Sequence, residues 1–396
     1  MTEGMETRFS IGIALTVAAL MLALNCPIFI SLQCPTLHMV HGVLKVSAMC
    51  YLLFRLAVDF RIDAFLMGAL SLFAWSLIDC LLIYAGSDVS AIVLQPMTCL
   101  FAVVMVSIFS RNRRDELVVG CFFAYLLWVG VNILTLIYAP DGLFFHEGSM
   151  GVDVPAWFLG QKNILYGYCV VFTGFALLFP VEGRFKCIAL RFSAFSIFAI
   201  TAFMADSSTG ILCCLLFGLA ILLECCGISF PRVRLMVIGY LVAFLFLMLV
   251  KNADCVADFA ELFEKSVTFS GRTNIWEVCW EMVAEHPIVG YGWLDPIFRT
   301  QLVDDAVGAV NAHNTILELL FTYGVIGLVL WMTFVGLALS RLAKMTDKSM
   351  ANSLRTTISC LFLATLMEAM VFNIHVFVLL SLCYYLSEND HARGGK

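Results

Sequence analysis

Apolar residues run along this chain in stretches of about twenty, the length a helix needs to cross a hydrocarbon core about 30 Å thick. Such stretches occupy residues 9–30, 37–58, 64–85, 89–110, 117–139, 164–180, 188–205, 211–227, 235–250 and 316–340. The last, 357–386, is too long for one ordinary span. Asn373 and His375 interrupt it, so it divides into two short spans, a single tilted helix with an interfacial tail being the alternative. The pattern predicts an all-α fold: a polytopic integral membrane helical bundle of about 12 transmembrane helices.

The few charges orient that bundle. Arg55 and Arg61, then Arg111, Arg113 and Arg114, then Arg184 and Lys186, then Arg232 and Arg234, then Arg341, Lys344, Lys348 and Arg355 all fall in alternate loops. Loops rich in Lys and Arg stay in the cytoplasm, which puts both termini there. The first apolar run exceeds a signal-peptide core and lacks a small-residue cleavage site, so it is expected to remain as an anchor.

Two outer loops are long, 140–163 and 251–314, and the second divides the chain into a bundle (1–250), an extracytoplasmic helical loop (251–314) and C-terminal spans with a tail (315–396). Within the second, Val256, Phe259, Leu262, Phe263 and Val267 recur at helical spacing. Asn274 and Glu277 predict a capped helix start, with Ile275, Trp276, Cys279, Trp280 and Val283 as its apolar stripe and Pro287 past its end. Asp295-Pro296 predicts a third short helix.

Composition agrees: 62% hydrophobic, 13% charged, mean hydropathy +0.96. A soluble chain carries about 25% charged residues, so there is too little polar surface here for a soluble domain of this size. Most of the sixteen cysteines lie inside apolar runs, including Cys213-Cys214 and Cys225-Cys226, without CxxC or Cys/His ligand spacing. They are expected to pack as small hydrophobes, with no zinc site. Gly290-Tyr291-Gly292 follows no strand and lacks the third glycine of a nucleotide loop, and no basic, aromatic-interleaved patch marks a nucleic-acid partner.

Polar residues at the ends of apolar runs are the candidates for chemistry. Thr315-x-x-Glu318 before a long apolar run is a capping-box signature, which places His313 and Asn314 just ahead of a helix N-terminus. Its field favours anions and keeps the imidazole neutral, able to accept a proton; an interfacial histidine satisfying backbone groups is the plainer alternative. Arg272 follows a Ser-Gly turn, a suitable place for a phosphate fork or for a lipid headgroup contact. Lys162 is a rare outer-face cation, and Asn163 can donate to a sugar or phosphate; an interfacial anchor and a helix cap are their simpler roles. Lys45 lies about 12 Å deep at 1.5 Å per residue, on one face with His38 and His41. Asp79 falls at similar depth, so the two are expected to pair, or Lys45 to wall a donor pocket. Glu368 and His375 also place polar groups near the outer surface.

The long loop resembles the signature region of the bacterial O-antigen ligase and polymerase superfamily. The resemblance rests on Ser270-Gly271-Arg272, Trp276, His286-Pro287-Ile288-Val289-Gly290-Tyr291-Gly292, Ala312-His313-Asn314-Thr315-Ile316-Leu317-Glu318 and Gly324-Val325-Ile326-Gly327. Gly160-Gln161-Lys162-Asn163 is a second match, and Asp206-Ser207-Ser208-Thr209-Gly210 a weaker third. Ligases of the group often carry an arginine beside the serine where this chain reads Ser208-Thr209, which favours a polymerase. The resemblance implies glycosyl transfer outside the cytoplasmic membrane, without metal, nucleotide or cofactor. The implied donor is a polyprenyl-pyrophosphate-linked saccharide and the acceptor a glycan hydroxyl, with the bilayer and other polysaccharide export proteins as further partners. His313 and Arg272 are the implied catalytic pair; Lys162, Asn163, Asn314, Glu318 and Lys45 are expected to bind substrate. The rival class, a flippase or secondary transporter, predicts repeated halves and midplane polar sites, and no repeat is evident.

Overall fold

The computed structural model describes residues 9–59, 62–83, 89–147, 153–249, 272–294 and 311–394. The helices are α1 (Ile11–Leu24), α2 (Ile28–Gln33), α3 (Pro35–Asp59), α4 (Ala64–Ile83), α5 (Val89–Ser110), α6 (Arg114–Tyr138), α7 (Lys162–Leu178), α8 (Arg184–Met204), α9 (Ser208–Cys225), α10 (Val233–Leu249), α11 (Arg272–Glu285), α12 (Thr315–Leu342), α13 (Lys348–Met367) and α14 (Ile374–Gly394). By length and composition, α3, α4, α5, α6, α8, α9 and α12 can each cross a membrane, and α1, α7, α10 and α14 are shorter apolar helices. The chain is a multi-pass membrane protein. The apolar stretches fall on helices, except that the first, 9–30, is broken at residues 25–27 between α1 and α2, and the long C-terminal stretch does break in two, between Met367 and Ile374.

The bundle is held by interlocked apolar side chains from most of its helices. Phe65 on α4 stacks on Phe334 of α12 at 4.3 Å and on Tyr384 of α14 at 4.8 Å, tying one end of three helices together. Offset aromatic pairs of this kind add about 0.5–1.5 kcal/mol beyond burial. Outward-facing residues such as Phe54, Leu134 and Leu245 stay exposed, as expected where lipid is the solvent.

Several expectations need correction. The bundle is all-helical as expected, but the first long loop adds an unpredicted small antiparallel sheet of β1 (Phe144–Glu147), β2 (Asp153–Trp157) and β3 (Gly160–Gln161). The Gly-Ser-Met-Gly segment at residues 148–151 between two short runs was its one sequence signal. α13 begins at Lys348, so Arg355 belongs to a helix and not to a loop; its Nε donates to the Ala351 carbonyl at 3.0 Å. α11 starts at Arg272, before the expected Asn274–Glu277 cap. In its stripe Ile275, Trp276, Cys279 and Val283 are buried, whereas Trp280 is 42% exposed and Met282 takes its place. At 100° per residue Trp280 stands about 140° round from Ile275, off the buried face. The stripe expected at residues 256–267 and the helix at Asp295-Pro296 lie outside the described residues.

Lys45 and Asp79 do not pair. Asp79 is 1% exposed and neither carboxylate oxygen has a hydrogen-bond partner. Matching two residues for depth left open which way α4 faces. Trp75, one turn before Asp79 on the same face of α4, donates from Nε1 to the Tyr323 carbonyl of α12 at 3.2 Å, so this face meets α12.

Candidate active site at the start of α12

Helix α12 begins one residue earlier than a Thr315–Glu318 capping box would require, because Asn314 is the cap. Its Oδ1 accepts from the Ile316 and Leu317 backbone N–H groups at 3.0 and 3.1 Å, and its Nδ2 donates to the Leu366 carbonyl at 3.0 Å. Asn314 is fully buried, so it is a structural joint between α12 and α13. Glu318, one position too far for the box, reaches back to the Ala312 N–H at 2.8 Å and accepts from the Thr322 hydroxyl at 3.2 Å.

This joint fixes His313. Its backbone is left-handed, with φ 45°, and its N–H donates to Asn311 Oδ1 at 2.9 Å. Non-glycine residues held there are strained by about 1–3 kcal/mol and gather at functional sites. His313 Nδ1 lies 3.1 Å from Glu368 Oε2. Glu368 caps the end of α13 and is itself held, its carbonyl accepting from the Thr315 hydroxyl at 2.8 Å. A carboxylate only accepts, so the Nδ1 proton belongs to the histidine and the Nε2 lone pair is left for another partner. The His313 side chain is 24% exposed, against 10% for Glu368, so the imidazole is the reachable member of the pair. The sequence marked Glu368 only as a polar group near the outer surface; its pairing with a residue fifty-five positions away carries no local signal.

The glycine-rich segments have a mechanical role. At Gly324 the backbone of α12 leaves helical geometry, with φ 61° and ψ −165°. The break frees carbonyls and amides, and the segment after α11 satisfies them. Tyr291 N–H donates to Phe321 O at 2.8 Å and Gly292 N–H to Thr322 O at 2.9 Å, while Val325 and Ile326 N–H donate to Pro287 O and Ile288 O. Gly290 has no room for a side chain: a Cβ there would lie 2.6 Å from both the Phe321 and Thr322 carbonyl oxygens. The Tyr291 hydroxyl donates to Glu285 at 2.6 Å, and burial together with that carboxylate pushes its pKa up to about 12, so it stays a donor. Trp276 of α11 donates from Nε1 to the Ala312 carbonyl at 2.9 Å, beside His313. Arg272 is the first residue of α11, one helical turn before Trp276; its side chain lies outside the described part.

The second and third segments also meet. Lys162, first residue of α7, pairs with Asp206 at 3.4 Å, and Asp206 is left-handed at φ 49° just ahead of the Ser207 cap of α9. Asn163 follows in the first turn of α7, half-buried, and the cap position is Gln161. One turn on, the Tyr166 hydroxyl donates to Met370 Sδ at 3.6 Å, two residues from Glu368, so the start of α7 borders the same connection. Lys45 sits on α3, half-buried, and no described contact joins it to this cluster.

A multi-pass membrane protein with a histidine–carboxylate pair at the mouth of a discontinuous helix is therefore defined by fold and site. Residues 193–332, from α8 into α12, match the family model for O-antigen ligase. No curated protein matches the chain.

Proposed function

We propose that the chain is a membrane glycosyltransferase of the O-antigen ligase/polymerase type, acting at the extracytoplasmic surface and polymerising polysaccharide repeat units. The observation that carries this reading is the His313–Glu368 pair within the reach of solvent. Nε2 takes the proton of a glycan hydroxyl as its oxygen attacks C1 of the donor saccharide. The bond from C1 to the polyprenyl pyrophosphate breaks, and the pyrophosphate leaves with the electron pair. Arg272 stabilises that leaving charge, and Asn163 and Lys162 hold donor or acceptor beside it. Asn314 and Glu318 serve by fixing the backbone at Ala312 and His313.

The third segment offers Asp206 to Lys162 in place of a further cation, which favours a polymerase over a ligase. A broken helix is also a transporter feature. In α12, however, the break is closed by the Pro287–Gly292 backbone and leaves those groups no ion to hold, which supports a transferase.

The test is transfer from purified lipid-linked oligosaccharide by reconstituted protein, with product length read on a gel. A ladder of repeats is expected; single transfers to a final acceptor would replace polymerase by ligase, and no transfer would reject the activity. Arg272→Lys should be nearly as damaging as Arg272→Ala, raising donor KM as well as lowering kcat, because one ammonium does not reproduce a bidentate fork.

Orientation follows from the loop charges: twelve spans with both termini cytoplasmic. Cys279 is only 1% exposed and would label poorly wherever it lies, so the reporter is Trp280→Cys, at an exposed position. An impermeant thiol reagent on intact cells should label position 280, and label the exposed Cys225 and Cys226 only after permeabilisation. Site-resolved mass spectrometry reads the result; the reverse pattern would invert the proposed topology.

A further inference from the structure

At the end of the bundle away from His313, a cavity of about 600 Å³ opens between α1, α3, α5 and the turn at residues 111–113. Its position follows from α12, which starts at His313's joint and carries Arg341 in its last turn, over the ring of Tyr384. The neighbouring Tyr385 hydroxyl donates to Asp63, the carboxylate nearest Arg111. The cavity lies outside the residues matched to the O-antigen ligase family.

Three guanidinium groups line it: Arg55, Arg111 and Arg113. Arg113 is engaged, with Nη1 3.1 Å from Glu116 Oε1, which also accepts from the Ser10 N–H. The other two are less fully held. Arg55 donates to the Tyr51 hydroxyl at 3.2 Å, but its carboxylate neighbour Asp59 is 3.8 Å away. Arg111 has Asp63 at 3.8 Å, and Asp63 Oδ1 already accepts from two backbone amides and from Tyr385. At 3.8 Å an ion pair persists without a hydrogen bond, and a guanidinium has five N–H donors. Donors of two arginines are therefore open in a concave site.

Ile13, Leu56 and Val58 add apolar surface to the lining beside the Asp59 carboxylate, and on the same two helices Leu15 and Phe54 are each more than 60% exposed. Charged donors above a lipid-facing groove suit an anionic phosphate whose remaining bulk is hydrocarbon. Arginines that merely mark the inner face need no shared cavity. We propose that this cleft binds an anionic phosphate, carried by an acidic phospholipid headgroup or by a soluble phosphate.

Native mass spectrometry of the full-length protein with phosphatidylglycerol or phosphatidylcholine tests it, alongside thermal shifts with inorganic phosphate. Wild type should retain phosphatidylglycerol over phosphatidylcholine, and Arg55→Gln or Arg111→Gln should each lower that retention about fivefold. Thr16→Trp, at an exposed lining position, fills the cleft without removing a charge and should lose retention equally. Stabilisation by inorganic phosphate to the same extent would assign the site to a soluble anion. Unchanged retention in Thr16→Trp and in the arginine variants, or no response to either ligand, would overturn the proposal. Binding is read apart from transfer, so its failure leaves the reading of His313 untouched.

Discussion

His313→Ala should lose about 10²–10⁴-fold in transfer rate, the span of general-base contributions, with donor KM unchanged. The structure narrows what must be seen. Glu368 holds Nδ1 at 3.1 Å, so Nε2 is the nitrogen left for the proposed base role, and an alanine leaves Glu368 in place beside an empty position. Glu368→Gln should also lower kcat without raising donor KM, because the amide no longer fixes the imidazole by charge. Glu368→Asp, which keeps the carboxylate one methylene short, should recover part of the loss. A structural role for Glu368 would instead show as reduced thermal stability in Glu368→Gln with kcat preserved. Wild-type kcat in purified His313→Ala would remove the base assignment.

The largest stability effect is expected at Gly324→Ala. The backbone there, φ 61° and ψ −165°, is a region essentially reserved for glycine and alone costs a residue with a Cβ about 1–3 kcal/mol. The added Cβ would also collide with the Ile288 carbonyl and the Val289 amide, both main-chain groups that cannot rotate aside. The sum should exceed the roughly 0.5–3 kcal/mol usual for single substitutions. Gly336, further along α12 with open space around its Cβ position, is the control: Gly336→Ala should be neutral or stabilising by up to about 1 kcal/mol. Thermal unfolding in detergent with size-exclusion yield measures both, and equal Tm values for the two variants would refute the backbone-clamp account.

Span positions were legible because each apolar stretch reports only on its own segment. Even the break near Asn373 could be read, since polar residues cannot sit unpaired in hydrocarbon. Contacts between segments were not legible. Lys45 and Asp79 match in depth, but depth says nothing about azimuth, and the face of α4 that carries Trp75 and Asp79 meets α12. The cap at Asn314 differs from the Thr315 expectation by one residue, because Thr315 is drawn to the Glu368 carbonyl and Met370 amide in the connection after α13. His313 was visible through its motif, whereas Glu368 required the fold. The His286–Gly292 pattern could be recognised, but its purpose depends on carbonyls at Phe321 and Thr322 that only the broken helix exposes.

The joint between that segment and α12 is made of peptide groups, and peptide groups are the same in every residue. Ile288, whose carbonyl takes part, leaves its side chain 64% exposed. Outside the glycines, the segment is free to change its outward chemistry without renegotiating its attachment. Outward side chains can change at such positions while His313, eleven residues before the break, keeps its bearing. Changing the side chain at 288 is accordingly the conservative edit to this surface, and changing the glycines is the destructive one.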